Sequence, residues 1–260
     1  MDKDYEKFIV DINKHYNFNL DNYKDNQMYR RLKSFYEKKE CKNFKEYFEL
    51  IKKDKKEEYD FFDKITINVT EFYRNRERWG ELRKIIEETE KKELKILSAA
   101  CSTGEEVYTL RMLGEELGIK IEIKGIDIDD KSLKKAKEGM YSEMAMKGLT
   151  KGEITKYFKK ETLKNENYEE EKYVFRDEYR NGIKFEKKDM LNERLDKEYD
   201  IIVCRNVMIY FKEEAKEELY LKFNESLKKD GILYVGSSEQ IFKPENYGFE
   251  ILKPFFYKKK

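Results

Sequence analysis

The chain has one histidine, three cysteines and almost no net charge: 56 lysines and arginines stand against 55 aspartates and glutamates, leaving +1. Each shortage excludes something. Cys41, Cys101 and Cys204 are scattered, odd in number and without Cys-x-x-Cys spacing, which argues against a disulfide framework and against a zinc site. No run approaches the ~18 consecutive apolar residues of a membrane span, and the start, MDKDYEKF, has no signal-peptide pattern. The expectation is a soluble, cytoplasmic protein without membrane insertion, in which the Asn68-Val69-Thr70 sequon carries no sugar. A near-zero net charge argues against nucleic-acid binding by bulk electrostatics. The Lys/Glu mixture recurs at helical spacing and reads as a solvated, ion-paired surface. His15 falls in the first helix as a surface or packing residue.

What is present is aromatic burial area. Aromatics make up 15% of the chain against 39% hydrophobics in all, so a sizeable core is available. Residues 1–66 read as helices only. Tyr5, Phe8, Ile9, Ile12 and Tyr16 form one stripe at helical spacing, Met28, Leu32, Phe35 and Tyr36 a second, and Phe44, Tyr47, Phe48 and Ile51 a third. Residues 67–93 read as a connecting segment and a helix carrying Trp79, Leu82, Ile85 and Ile86. From 94 to 260 short apolar strands alternate with helices: LKILSA (94–99), IEIKGID (121–127), IKFEKKD (183–189), YDIIVC (199–204) and GILYVG (231–236). That alternation predicts an α/β fold with a mostly parallel sheet. A helix is expected over about 212–229, with Lys228, Lys229 and Gly231 as its stop signals. FEILKPFFYKKK reads as one more strand. The polar stretch 142–182 contains the strand candidate KYVFRDE and is too long for a plain connection, so it reads as a small inserted subdomain.

In open α/β sheets ligands bind beyond the carboxyl ends of the strands. The first strand runs into Ala99-Ala100-Cys101-Ser102-Thr103-Gly104-Glu105-Glu106. With one glycine this is neither a dinucleotide fingerprint nor a phosphate loop. Two carboxylates there would repel phosphates and suit a cation, such as the sulfonium and ammonium of S-adenosylmethionine. The plainer reading is that Glu105 and Glu106 complement the helix dipole. Asp127 closes the second strand, where an acid usually takes ribose hydroxyls; Asp129 fits as a helix N-cap. Asp189 ends the third strand, placed to accept from an adenine amino group. Arg205 and Asn206 follow the fourth, then Met208-Ile209-Tyr210-Phe211. Four successive strand ends with polar groups fit one extended nucleoside ligand.

The segments ITINVTEFYRNRERW, LSAACSTGEEVYTL, GIDIDDKSLKKAKEGMY, YDIIVCRNVMIYF and GILYVGSSE, in this order and spacing, resemble the chemotaxis-receptor glutamate methyltransferases, the CheR family. The stretch from Tyr23 through Arg30-Arg31-Leu32 to Tyr47 is similar to that family's helical N-terminal domain. The resemblance covers nearly the whole chain. It implies a small all-α domain followed by a class I methyltransferase (Rossmann-like) domain, with a seven-stranded sheet and a small inserted β-subdomain. It also implies S-adenosylmethionine as methyl donor, S-adenosylhomocysteine as product and no metal. Donor binding is implied for Asn68, Thr70, Arg74, Glu105, Asp127, Asp189, Met190, Arg205 and Asn206. Arg74 and Tyr210 are the positions implied beside the transferred methyl, and Arg30 and Arg31 are candidates for touching the acidic methylation segment of a chemoreceptor's cytoplasmic domain. Phe72 and Tyr73 are expected to pack a domain junction, with NVTEFYR irregular or extended rather than helical. Two departures stand out: Asp189 where some relatives have Asn, and Val107 where Pro is common. Neither alters the expected chemistry. Two alternatives compete: a class I methyltransferase acting on another substrate, and a non-catalytic module that binds the donor as a signal. Nothing in the sequence demands more than a monomer.

Overall fold

A computed structural model describes residues 2–16, 18–65, 70–165 and 168–260; Asn68 lies outside the described residues. By internal contacts the chain divides into a helical unit, Met1–Ile67 with Val207–Leu219, and a sheet unit, Asn68–Asn206 with Tyr220–Lys260.

The helical unit contains α1 (Lys3–Tyr16), α2 (Asp25–Lys38), α3 (Phe44–Lys53) and α4 (Lys55–Ile65). Apolar residues at i, i+3, i+4 put one stripe of each helix inward. Tyr5, Phe8, Ile9 and Ile12 of α1 are buried, as are Phe44, Tyr47, Phe48 and Ile51 of α3. Phe8 meets Phe44 at 5.3 Å and Phe61 at 6.0 Å between ring centres, and such pairs add about 0.5–1.5 kcal/mol each beyond burial. Asn43 caps α3 by accepting from the Glu46 amide at 2.9 Å, and the Asp4 carboxylate takes the Phe44 amide at 2.7 Å. Residues 207–219 join this unit through an antiparallel bridge between Tyr23 and Phe211. Lys24 donates its amide to the Tyr210 carbonyl at 2.9 Å, and Lys212 donates to Asn22 at 2.8 Å.

In the sheet unit, α5 (Arg76–Glu88) leads into β1 (Glu93–Ala99), α6 (Glu105–Leu117), β2 (Lys120–Asp127) and α7 (Asp130–Glu138). A small antiparallel sheet follows: β3 (Met140–Ser142), β4 (Phe158–Asn165) and β5 (Tyr168–Phe175), with the short α8 (Lys151–Tyr157) between β3 and β4. The main sheet then resumes with β6 (Ile183–Lys187), β7 (Tyr199–Cys204), β8 (Leu227–Val235), β9 (Phe249–Lys253) and β10 (Phe256–Lys259), while α9 (Glu213–Ser226) connects β7 to β8. The seven strands lie in the order β6-β2-β1-β7-β8-β10-β9. Pairings are parallel from β6 to β8, and β10 is antiparallel to both neighbours. β7 is buried at every position, as befits a central strand covered on both faces. The expected inserted subdomain is the small sheet, and KYVFRDE supplies part of β5.

Two sequence expectations need correction. The helix expected to about 229 ends at Ser226, and Lys228 to Gly231 belong to β8. The register between β7 and β8 shifts there, with Asp230 at φ 62°, so the extra residues bulge. Lys228 is drawn to the nearly buried Asp200 at 2.9 Å, and an ion pair to the neighbouring strand replaces the C-terminal helix cap the sequence suggested. The terminal strand is two strands, β9 and β10, turned at Phe255 with φ 72°. The turn lets Phe256 stack on Tyr234 of β8 at 4.4 Å.

Candidate active site

The loop after β1 is wound tightly. Ala100 and Ser102 have φ of 62° and 48°, and Gly104 has φ 92°. A Cβ at Gly104 would lie 2.9 Å from the Ala136 Cβ, so the lone glycine both makes the turn and lets α6 begin against α7. Non-glycine residues hold such dihedrals only where their surroundings over-determine them. Here the Asp127 carboxylate does so: Oδ2 accepts from the Ser102 amide at 2.7 Å and Oδ1 from the Asp129 amide at 3.0 Å. Asp129 caps α7, accepting from the amides of Lys131 and Ser132, as its sequence position suggested.

Asp127 is 7% exposed. Burial raises its pKa from 3.8 to about 6 against the opposing amide bonds. An acid raised in the folded state contributes most below its unfolded pKa and loses that contribution as pH rises through the folded one. The difference is worth about 3 kcal/mol. The wild type is therefore expected to lose about that much stability relative to Asp127→Asn between about pH 4 and pH 7. Urea unfolding across that range checks it, and a flat difference would contradict the assignment.

Glu105 opens α6 and is 5% exposed. It accepts from the Thr103 hydroxyl at 2.7 Å and has no ion pair among the described residues. Burial pushes its carboxyl up, with the Thr103 hydroxyl opposing. A buried carboxylate without a direct ion pair is costly, and the Lys135 ammonium opposes the rise only through space, so this site suits a ligand carrying positive charge. Glu106 is committed differently: it takes the Ser98 hydroxyl at 2.9 Å and pairs with Arg205 at 3.3 Å. Of the two glutamates, Glu105 is the one left for a cationic ligand, and the plainer dipole reading does not account for its burial.

Asp189 and Met190 follow β6. Met190 is buried. The Asp189 carboxylate caps its own turn, accepting from the Leu191 amide at 2.8 Å and the Asn192 side chain at 2.7 Å. Beyond β7, the Arg205 guanidinium is engaged by protein groups, among them the Arg74 carbonyl at 2.6 Å. Asn206 has φ 61°, and its amide donates to Glu239 Oε2 at 2.6 Å, which also takes the Gly236 amide at 2.9 Å. Glu239 is buried and was assigned no role from the sequence. The signal was there as the last residue of GSSE, but only the fold places it under Asn206.

Within NVTEFYR, the described residues 70–74 form neither helix nor strand, and α5 begins at Arg76, so the irregular segment is as expected. Thr70 is half-buried. Phe72 is fully buried and packs edge-on against Tyr141 at 4.9 Å and Phe158 at 5.4 Å. Tyr73 gives its amide to the Thr109 hydroxyl at 3.3 Å and packs on Trp79. These partners belong to the small sheet, α5 and α6. Arg74 lies between Tyr73 and Asn75, both in the left-handed region at φ 51° and 59°, and its carbonyl accepts from the Trp79 indole at 3.1 Å as well as from Arg205.

In the helical unit a cleft of about 130 Å³ is lined by Tyr23, Lys24, Gln27, Met28, Arg31, Ile65 and Tyr210. Arg31 donates to the Lys64 carbonyl. Burial lowers its pKa, with Tyr210 opposing. Arg30, one residue earlier, is exposed. The fold thus brings Arg31 and Tyr210 to one cleft and turns Arg30 to solvent.

A seven-stranded sheet with one reversed strand, and strained loops and carboxylates beyond its parallel strands, defines a class I methyltransferase. The chain matches the family profile "CheR methyltransferase, SAM binding domain" over residues 68–254 and "CheR methyltransferase, all-alpha domain" over residues 3–66. It is 39% identical over 264 residues to a chemotaxis protein methyltransferase of Listeria monocytogenes, spanning 99% of this chain and 97% of that one. Borreliella burgdorferi has a relative of the same name at 32% identity, spanning 97% and 93% of the two chains. One of Escherichia coli is 31% identical, spanning 82% and 74%. The chain belongs to the CheR methyltransferase family and is an S-adenosylmethionine-dependent methyltransferase.

Proposed function

We propose that the chain esterifies glutamate side chains of a chemoreceptor cytoplasmic domain, giving γ-methyl esters. The observation that carries this reading is Glu105 at the head of α6, buried and without an ion pair among the described residues, in a chain of this family. S-adenosylmethionine supplies an electrophilic methyl on a sulfonium. Glu105 offers the negative charge that holds the donor's cationic end, and Asp127 offers acceptor lone pairs to ribose hydroxyls. Asp189, Met190 and Asn206 hold the base end, with Asn68 and Thr70 completing the set. Arg74 presents a guanidinium fork that matches a carboxylate in bidentate fashion, and Tyr210 is the second group assigned to the transfer step.

A glutamate with an ordinary pKa of about 4.3 is already ionised at neutral pH, so no general base is required. That suits a chain whose only histidine is His15. Placement is what the residues supply, and holding reactants aligned is worth about 7–11 kcal/mol.

The test is transfer of labelled methyl to a receptor cytoplasmic fragment, with the label released by mild base. A stable label would point to another acceptor atom, and donor binding without transfer would point to a sensor. Arg30, exposed on α2, is assigned to the acidic methylation segment. Arg30→Glu is expected to raise the apparent KM for the receptor fragment about threefold to tenfold with kcat unchanged, since exposed charges act mainly on association. An unchanged KM removes that assignment.

A further inference from the structure

Arg205 is a cation sealed into the sheet unit: its side chain is 3% exposed. Nη1 faces Glu106 Oε2 at 3.3 Å. Nη2 donates to the Arg74 carbonyl at 2.6 Å and lies 3.4 Å from Asn75 Oδ1. The guanidinium sits over the rings of Trp79 at 5.3 Å and Tyr234 at 4.9 Å. Burying a charge is costly unless it is paired, and Glu106 provides the pair. Such a group needs a use that a leucine would not serve.

That use is visible in what Arg205 grips. Tyr73 and Asn75 both hold left-handed dihedrals, which persist only when neighbouring structure imposes them. Arg74 sits between them, and its carbonyl has two donors from elsewhere in the unit, the Trp79 indole and Arg205. Chain position 205 follows the last residue of β7, in the centre of the sheet. A rigid strand end is thus linked through one planar side chain to the turn that carries Arg74.

We propose that Arg205 is a positioning residue: anchored by Glu106, its guanidinium fixes the main chain of Arg74 and so aims the Arg74 side chain. This rests on the reading that Arg74 serves methyl transfer. Arg205's own side chain is then a strut and not a ligand of the donor. A planar fork that reaches Glu106 on one nitrogen and Arg74 on another cannot be replaced by an ammonium, which has the charge without the span.

A double-mutant cycle tests this. Arg205→Lys keeps the charge opposite Glu106 and is expected to lower kcat about 10- to 100-fold in the wild-type background, since small misplacements near reacting groups cost that much. In an Arg74→Ala background the same change is expected to cost less than about threefold, because there is no longer a side chain to aim. Losses that multiply overturn the proposal. Should Arg205→Lys fail to fold, Glu106→Gln enters the same cycle with the same criterion. Trp79 is the chain's only tryptophan and touches both Arg205 and the Arg74 carbonyl, so its fluorescence reads the strut without any acceptor. Arg205→Lys and Glu106→Gln should shift its emission while Arg74→Ala does not. If the wild-type chain transfers no methyl, the proposed function fails and the emission alone decides the strut; an unshifted emission in both variants overturns it.

Discussion

Arg74→Ala is expected to lower methyl transfer at least ~100-fold. The main chain at Arg74 is held by two donors to its carbonyl, at 3.1 Å and 2.6 Å, and neither bond involves the Arg74 side chain. Truncation to alanine keeps the carbonyl that accepts both bonds and takes away the guanidinium. What is lost is a planar pair of donors suited to a carboxylate, together with the alignment that such a clamp provides. Initial rates of labelled methyl transfer at saturating donor and receptor fragment measure the effect. A rate within about threefold of wild type would remove Arg74 from the transfer step, because a positioning contact of this kind is worth far more.

Gly148→Ala is expected to damage the same turn from the opposite side. A Cβ on Gly148 would lie 2.0 Å from the carbonyl oxygen of Phe72, deep inside contact distance. Phe72 cannot retreat, because its ring is fully buried against Tyr141 and Phe158. The Gly148 carbonyl also accepts from Arg76 Nη1 at 2.7 Å, and Arg76 pairs with Glu153 of α8. One methyl group therefore displaces the backbone two residues from Arg74. Overpacking of this kind costs about 1–3 kcal/mol, and a misplacement of about 1 Å near the reacting groups costs ~100-fold in rate. Urea unfolding gives the first and kcat the second. Wild-type values for both would mean that the connection between β3 and α8 does not fix this turn.

The two predictions meet on a segment whose irregular backbone was legible from sequence and whose support was not. NVTEFYR, the paired glutamates and the polar strand ends could be read as a donor site because they are local: each motif is a few residues at a strand end. The support comes from chain positions far away. Gly148 and Glu153 sit in the stretch that reads as an inserted subdomain without any site residue, and Arg205 lies 131 residues from the carbonyl it holds. Glu239 went unassigned for the same reason, since its partner Asn206 is 33 residues away. Asp189 and Asp129 show the converse: their carboxylates bond within three residues, and the Asp129 cap could be foreseen from position alone.

By itself the sequence determined the element types, because hydrophobic periods of 3.6 and 2 are properties of consecutive residues. It determined the inward stripes of α1 and α3, most strands of the main sheet, and the family through motifs in order. The lysines at 228 and 229 misled because a helix-stop pattern and a bulged strand share the same local residues, and the choice was made by Asp200 on the neighbouring strand. Only the tertiary structure decided which of the two glutamates after Gly104 is already paired, which arginine supports and which is supported, and which residues press on Phe72. Those are questions of distance between remote residues. A buried charge or a strained turn is settled by whichever partner the fold brings within about 3 Å.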